Sequence, residues 1–191
     1  PLPEDERVKN ARLLNAGDTI AIATPIFTPY LEMPDLEDYA LQKVYIQADQ
    51  EDQFQFTDEE LTALEDPKVK ALFLVNPGNP SSVALDPQTI ARLVKFVREK
   101  RPDLMILTDD VYGTFTPNFE SLIGHLPRNT IGVYSYSKYF GCTGWRLGVI
   151  AVAQENVFDE MIKAHPEDIQ QTLENRYKAL TPTPRDIKFI D

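Results

Sequence analysis

The stretch that most restricts how this chain can fold is Val69-Lys-Ala-Leu-Phe-Leu-Val75. Six of its seven residues are apolar, with no polar alternation that would give one face to water. Such a run reads as a strand covered on both faces, the mark of a parallel sheet. It stops at a polar, turn-forming segment, Asn76-Pro-Gly-Asn79-Pro-Ser-Ser82. A helix is predicted next. Asp86 is its N-cap, Pro87 its first residue, Ile90, Leu93, Val94 and Val97 its buried stripe, and Lys100-Arg101-Pro102 its end. Residues 104–107, Leu-Met-Ile-Leu, form a second buried strand, ending at Thr108-Asp-Asp-Val-Tyr112-Gly. Residues 130–136 form a third, which runs into Lys138.

Two more strands are predicted upstream, at 19–23 and 43–47, and residues 147–152 are a further apolar run. Strands alternating with helices define an α/β fold. The expectation is a three-layer α/β/α domain with a mostly parallel sheet of about six strands. Residues 1–15 read as charged and partly helical, and Gly17-Asp18 as a turn. Pro29 and Pro34 delay any helix in 27–41 until after Pro34. Thr57-Asp-Glu-Glu60 is a capping box that opens a short helix. Residues 116–126 read as a loop or short helix, and 154–165 and 167–180 as helices separated by Pro166. Thr181-Pro-Thr-Pro184 is extended. Residues 1–180 are therefore expected to form one part of an α/β domain. Residues 181–191 are expected to be a linker or the start of a missing C-terminal part.

The chain has 191 residues, begins Pro-Leu-Pro and carries no closing signal after Lys188, so it reads as a piece of a longer protein. Its net charge is −11, and residues 31–66 hold twelve acids against one base, Lys43. An acidic face of this kind repels nucleic acid and anionic membrane, so neither is an expected partner. No apolar stretch approaches spanning length and no signal peptide is visible. The acids have no metal-ligand spacing, and no metal site is assigned. One cysteine, Cys142, excludes an internal disulfide and fits a reducing, cytoplasmic setting.

In an open parallel sheet, ligands bind outside the carboxyl ends of the strands. Three strands here end in polar clusters: 76–82, 108–112 and 135–146. The last is Ser135-Tyr-Ser-Lys138-Tyr-Phe-Gly141-Cys-Thr-Gly144-Trp-Arg146-Leu-Gly148. Glycines let backbone approach a bound group, and serine and arginine suit a phosphate. A lysine there is either an ion-pair partner or a nucleophile that condenses with a carbonyl.

Asn-Pro-x-Asn-Pro, then Asp-x-x-Tyr, then Ser-x-x-Lys with an arginine eight residues on, resembles the fold-type I pyridoxal-phosphate enzymes, in the order of the aspartate aminotransferase family. The resemblance covers residues 17–152 and is closest to the aspartate 4-decarboxylase branch, which also transaminates aspartate. It implies that Lys138 condenses with the aldehyde of pyridoxal 5'-phosphate and later moves a proton. Asp109 would pair with the pyridine nitrogen. Tyr112 and Asn79 would bond the phenolic oxygen, and Ser135 and Arg146 would hold the phosphate. Phe27 stands where an aromatic residue stacks on the ring. The Asp-x-x-Tyr spacing selects Asp109 over Asp110. Trp145 is expected to pack, and Cys142 to be inert. His125 and His165 are expected at the surface or in caps.

The implied substrate is an amino acid, aspartate, in a homo-oligomer built from dimers. The implied reaction is release of carbon dioxide to give alanine, with accompanying transamination. A plain class I aminotransferase fits the same motifs. So does a non-catalytic phosphate- or cofactor-binding α/β module, in which Lys138 and Arg146 merely hold a phosphate. The family's N-terminal phosphate-binding helix, a tyrosine lent by the partner subunit and the arginine for the substrate α-carboxylate are expected outside these residues. The isolated chain is therefore expected to be weakly active or inactive.

Overall fold

The computed structural model describes residues 11–191, so most of the helical expectation for 1–15 lies outside the described residues. One six-stranded sheet organises them. Its strands are β1 (Thr19–Thr24), β2 (Gln42–Gln47), β3 (Val69–Val75), β4 (Met105–Asp109), β5 (Thr130–Ser135) and β6 (Gly148–Val152). The spatial order is β2-β1-β3-β4-β5-β6. The first five strands are parallel, and β6 returns antiparallel beside β5. The expected mostly parallel α/β sheet is present.

The helices in chain order are α1 (Pro29–Glu32), α2 (Asp58–Leu61), α3 (Pro87–Lys100), α4 (Leu122–His125), α5 (Val157–Lys163) and α6 (Glu167–Tyr177). On one face of the sheet, Leu93 and Val97 of α3 and Leu61 of α2 pack on Ala21, Leu72, Leu74 and Ile106. On the other, Val157 and Phe158 of α5 cover Ile20, Ile22, Ala71 and Met105. Apolar residues at adjacent strand positions thus feed two separate cores, which is why β3 carries almost no polar alternation.

Local chemistry sets the helix ends. Asp86 accepts a hydrogen bond from the Thr89 N–H at 2.6 Å, and Pro87 lacks the N–H that would otherwise be unpaired. The Thr57 N–H donates to Glu60 at 2.5 Å, closing the predicted capping box. Two expectations shift. The helical turn in 27–41 starts at Pro29, not after Pro34, because proline is well suited to a first helical position. The helix expected at 154–165 begins only at Val157, because Asn156 caps it by accepting from the Asp159 N–H at 2.7 Å. Residues 181–191 turn back on the fold. Phe189 lies 5.2 Å from Phe158 ring to ring, and its N–H donates to Asp159 at 2.7 Å.

One buried cation ties the lower edge together. Arg101 donates to the carbonyls of Leu64, Asp66 and Val69 at 2.6, 2.9 and 2.8 Å. It also pairs with both oxygens of Asp103, holding that carboxyl below its ordinary pKa. Arg101→Met would keep the aliphatic stem and strand buried carbonyls. The expected loss in unfolding free energy is about 2–4 kcal/mol, measured by urea denaturation followed by circular dichroism.

Candidate active site

The candidate site lies where β3, β4 and β5 end. Val75, Asp109 and Val133 stand side by side in register, at the ~4.8 Å spacing of neighbouring strands. The ladder runs one residue further, because Asn76 N–H donates to the Asp109 carbonyl at 2.9 Å and Asp110 N–H to the Val133 carbonyl at 2.8 Å. The strand after Leu104 therefore includes Asp109 as its last residue, which fixes the backbone of that carboxylate.

Side chains alternate along a strand, so Asp109 and Asp110 leave opposite faces. Asp109 turns toward the segment after β1, where Tyr30 O–H donates to its Oδ2 at 2.9 Å. Val111 N–H donates to its Oδ1 at 3.1 Å. No cation pairs with Asp109 among the described residues. Burial, then the Asp109 charge and hydrogen bond, raise the Tyr30 phenol well above its ordinary value of 10.0. Tyr30 was not among the candidates from sequence. The only sequence signal for it was its place three residues after Phe27, one helical turn along. Phe27 itself is 49% exposed and makes no ring contact among the described residues.

Asp110 is the buried member of the pair. Thr108 Oγ1 donates to it at 2.7 Å, and Ser121 Oγ donates to its other oxygen. Burial first, and the neighbouring Asp109 charge last, push its carboxyl up to about 6 against the two hydroxyl bonds.

Ser135 and Ser137 share a hydroxyl–hydroxyl bond of 3.0 Å at the end of β5, and Ser137 N–H donates to Ser135 Oγ at 3.2 Å. Lys138 follows, exposed, and its Nζ has no hydrogen bond or ion pair among the described residues. Gly141 closes the turn with φ +63°, donating to the Lys138 carbonyl at 3.1 Å. The loop then folds back, with Thr143 Oγ1 donating to the Ser137 carbonyl at 3.0 Å. Arg146 sits in left-handed backbone, φ 51° and ψ 41°, uncommon for a side-chain-bearing residue. Among the described residues its guanidinium meets only the Thr143 carbonyl, at 3.0 Å. Gly148 owes its identity to packing, since a Cβ there would lie 2.9 Å from the Tyr134 carbonyl.

Asn79 lies in a loop closed by Gly78 N–H to Val83 carbonyl at 2.8 Å, and its amide has no partner among the described residues. Asn76 behind it is buried. Its Oδ1 accepts from Leu85 N–H at 2.9 Å, while Nδ2 has no partner among the described residues. Tyr112 is half-buried, and ring contacts run from Tyr112 to Phe115 (6.4 Å) and from Phe115 to Tyr139 (5.3 Å). These rings join the turn after β4 to the turn that carries Lys138. Trp145 does not pack as expected and is 77% exposed. His125 pairs with Glu120 at 2.9 Å, and His165 meets the Ala11 carbonyl at 3.1 Å. Among the described residues no cluster of acids, histidines and cysteine could hold a metal ion. No helix there is long and apolar enough to cross a membrane.

Counting partners among the described residues, the edge thus gathers an unpaired amine, a guanidinium bonded to one carbonyl, hydroxyls, an amide, a phenol and a carboxylate without a counter-ion. This donor set suits a phosphorylated, aldehyde-bearing pyridine. The aminotransferase class I and II family model matches residues 9–171, and the chain belongs to that family. A bifunctional aspartate aminotransferase and L-aspartate beta-decarboxylase of Pseudomonas is 52% identical over 97% of this chain. The chain spans about a third of that relative's length, 35%. Aromatic-amino-acid aminotransferase 2 of Thermococcus litoralis is 32% identical over 80% of the chain and 39% of its own length. The solved aromatic aminotransferase of Pyrococcus horikoshii superposes with a TM-score of 0.65 at 29% identity, covering 82% of this chain and 42% of that one.

The buried Asp110 makes stability depend on pH. Its folded-state pKa, about 6, lies above the ordinary 3.8, so its contribution is fully present below 3.8 and is lost as pH rises through about 6. Asp110→Asn is expected to remove that part of the pH dependence, read from urea midpoints across the acidic range.

Proposed function

We propose that this chain is part of the cofactor-holding domain of a pyridoxal-phosphate enzyme that converts aspartate to alanine and carbon dioxide and also transaminates aspartate. Residues 1–180 would belong to that domain, and 181–191, which fold back on it through Phe189, would continue into the part outside this chain. The observation that carries the reading is the 52% identity to the bifunctional Pseudomonas relative, against 32% to an aminotransferase of another specificity. A reducing, cytoplasmic setting and a homo-oligomer built from dimers complete the proposal.

When bound, the cofactor would supply the electron sink that lets bonds at the substrate's α- and β-carbons break. This chain's residues would hold it and move the proton. Asp109, already at the end of β4 and hydrogen-bonded by Tyr30, would accept from the pyridine nitrogen and keep it protonated. Asn79 and Tyr112 would donate to the phenolic oxygen. Arg146 would offer its planar fork to the phosphate, with Ser135 beside it. Phe27, exposed at the end of β1, would lie against the ring face. Lys138 would bond the cofactor aldehyde when no substrate is present. Once displaced, its neutral amine would carry the proton from the substrate α-carbon.

Three experiments test this. Borohydride reduction of the full-length protein with pyridoxal phosphate should leave a covalent adduct that peptide mapping assigns to Lys138 and that Lys138→Ala lacks. Binding of phosphate alone, with no adduct, would instead favour a non-catalytic module. Arg146→Ala should weaken cofactor binding roughly ten- to 100-fold, the scale of a charge-assisted hydrogen bond. Aspartate supplied without a keto acid should yield alanine and carbon dioxide. Neither product appearing would reduce the activity to that of a plain aminotransferase.

A further inference from the structure

Asp110 is a buried carboxylate for which the site reading above has no use. It is 8% exposed and has no cationic partner among the described residues, an arrangement that costs stability unless something is gained in return. Its contacts tie four segments together. Thr108 Oγ1 donates to it from β4, and Ser121 Oγ donates from the start of α4. Its own N–H donates to the Val133 carbonyl of β5, and its carbonyl accepts from Gly113 N–H across the turn. Ser121 in turn accepts from Ile123 N–H at 3.3 Å, so the same hydroxyl caps α4 and holds Asp110. The residues inside this clamp are Val111 and Tyr112, and the residue just before it is Asp109. Fixing Asp110 therefore fixes the direction of both Asp109 and Tyr112.

The clamp is also charged. Asp109 is the adjacent ionisable group on β4, and Tyr134 on β5 is the titratable group across the depression that Asp110 lines. From α4 and β6 that depression receives Ile123, Val149 and Ala151, which carry no charge. His125, at the far end of α4, is engaged by Glu120. An ionised Asp110 thus stands one residue from Asp109 in surroundings that screen it poorly.

We infer that Asp110 is a positioning residue for the candidate cofactor site, acting through Asp109 and Tyr112. Its hydrogen bonds to Thr108 and Ser121 aim the two side chains. Its charge strengthens the negative field at Asp109 that a protonated pyridine nitrogen would meet. The inference rests on the pyridoxal-phosphate reading of the site. Since the carboxyl is raised to about 6, the charge acts above that pH and is absent well below it.

The test is the dissociation constant of pyridoxal phosphate, followed by absorbance, for the full-length protein and its Asp110→Asn and Ser121→Ala variants. Asp110→Asn should bind roughly tenfold more weakly than wild type at about pH 8, with the ratio falling toward one near pH 5. A purely structural residue would give the same ratio at both pH values, and that result would overturn the electrostatic role. Ser121→Ala keeps the charge and frees one end of the clamp, so it should weaken binding at both pH values. Unchanged affinity there would refute the clamp, and this variant still decides the matter if Asp110→Asn does not fold. A wild-type protein that takes up no cofactor would remove the site reading and this inference together. A wild type that binds, alongside variants that bind equally well, would remove the inference alone.

Discussion

The site depends on the parallel ladder that aligns β3, β4 and β5 at their carboxyl ends. Val75, Asp109 and Val133 share one register line, and the bonds from Asn76 to Asp109 and from Asp110 to Val133 carry it one residue past the strands. A parallel ladder requires long crossovers between its strands. Residues far apart in sequence, Asn79, Asp109 and Lys138, therefore leave the sheet along the same edge. Slipping any of these strands by one residue would send its side chains to the opposite face. The two buried cores, one on each face of β3, oppose such a slip because both would lose their apolar partners.

At that edge, two adjacent aspartates do different jobs because the pleat separates them. Asp109 points to the open side, where neutral donors satisfy part of its capacity and leave its charge uncompensated. Asp110 points inward, where burial raises its pKa and two hydroxyls partly offset the cost. One strand position thus decides which carboxylate faces the open edge and which lies buried against two hydroxyls. The aromatic contacts from Tyr112 through Phe115 to Tyr139 then couple the aspartate turn to the lysine turn.

Much of this was legible in the residues. The apolar runs, the Asp86-Pro87 start and the Thr57 capping box act locally, over a few residues, so their patterns survive in one dimension. The spacing of Asp-x-x-Tyr singles out Asp109, and the structure places that carboxylate against Tyr30 and Asp110 against Thr108 and Ser121. Other features were not legible. The start of α1 came from proline at its first position and the late start of α5 from the Asn156 cap, each one of several near-equivalent options in the sequence. The glycine at 148 looked like room for a ligand, whereas it makes room for the Tyr134 carbonyl in the adjacent strand. Trp145, read as a packing residue, stands exposed just before β6, whose residues are mostly exposed as well.

The stretch from Ser135 to Gly148 marks the division. By itself the sequence determined the α/β class, the parallel sheet and the lysine, arginine and hydroxyl chemistry at a strand end, because periodicity and residue type are properties of the chain. Only the tertiary structure decided that Tyr30 reaches Asp109 across 79 positions of sequence and that Asp110 is clamped by Ser121. Those bonds join residues that no local pattern connects. They form because the sheet brings the carboxyl ends of its parallel strands to one edge.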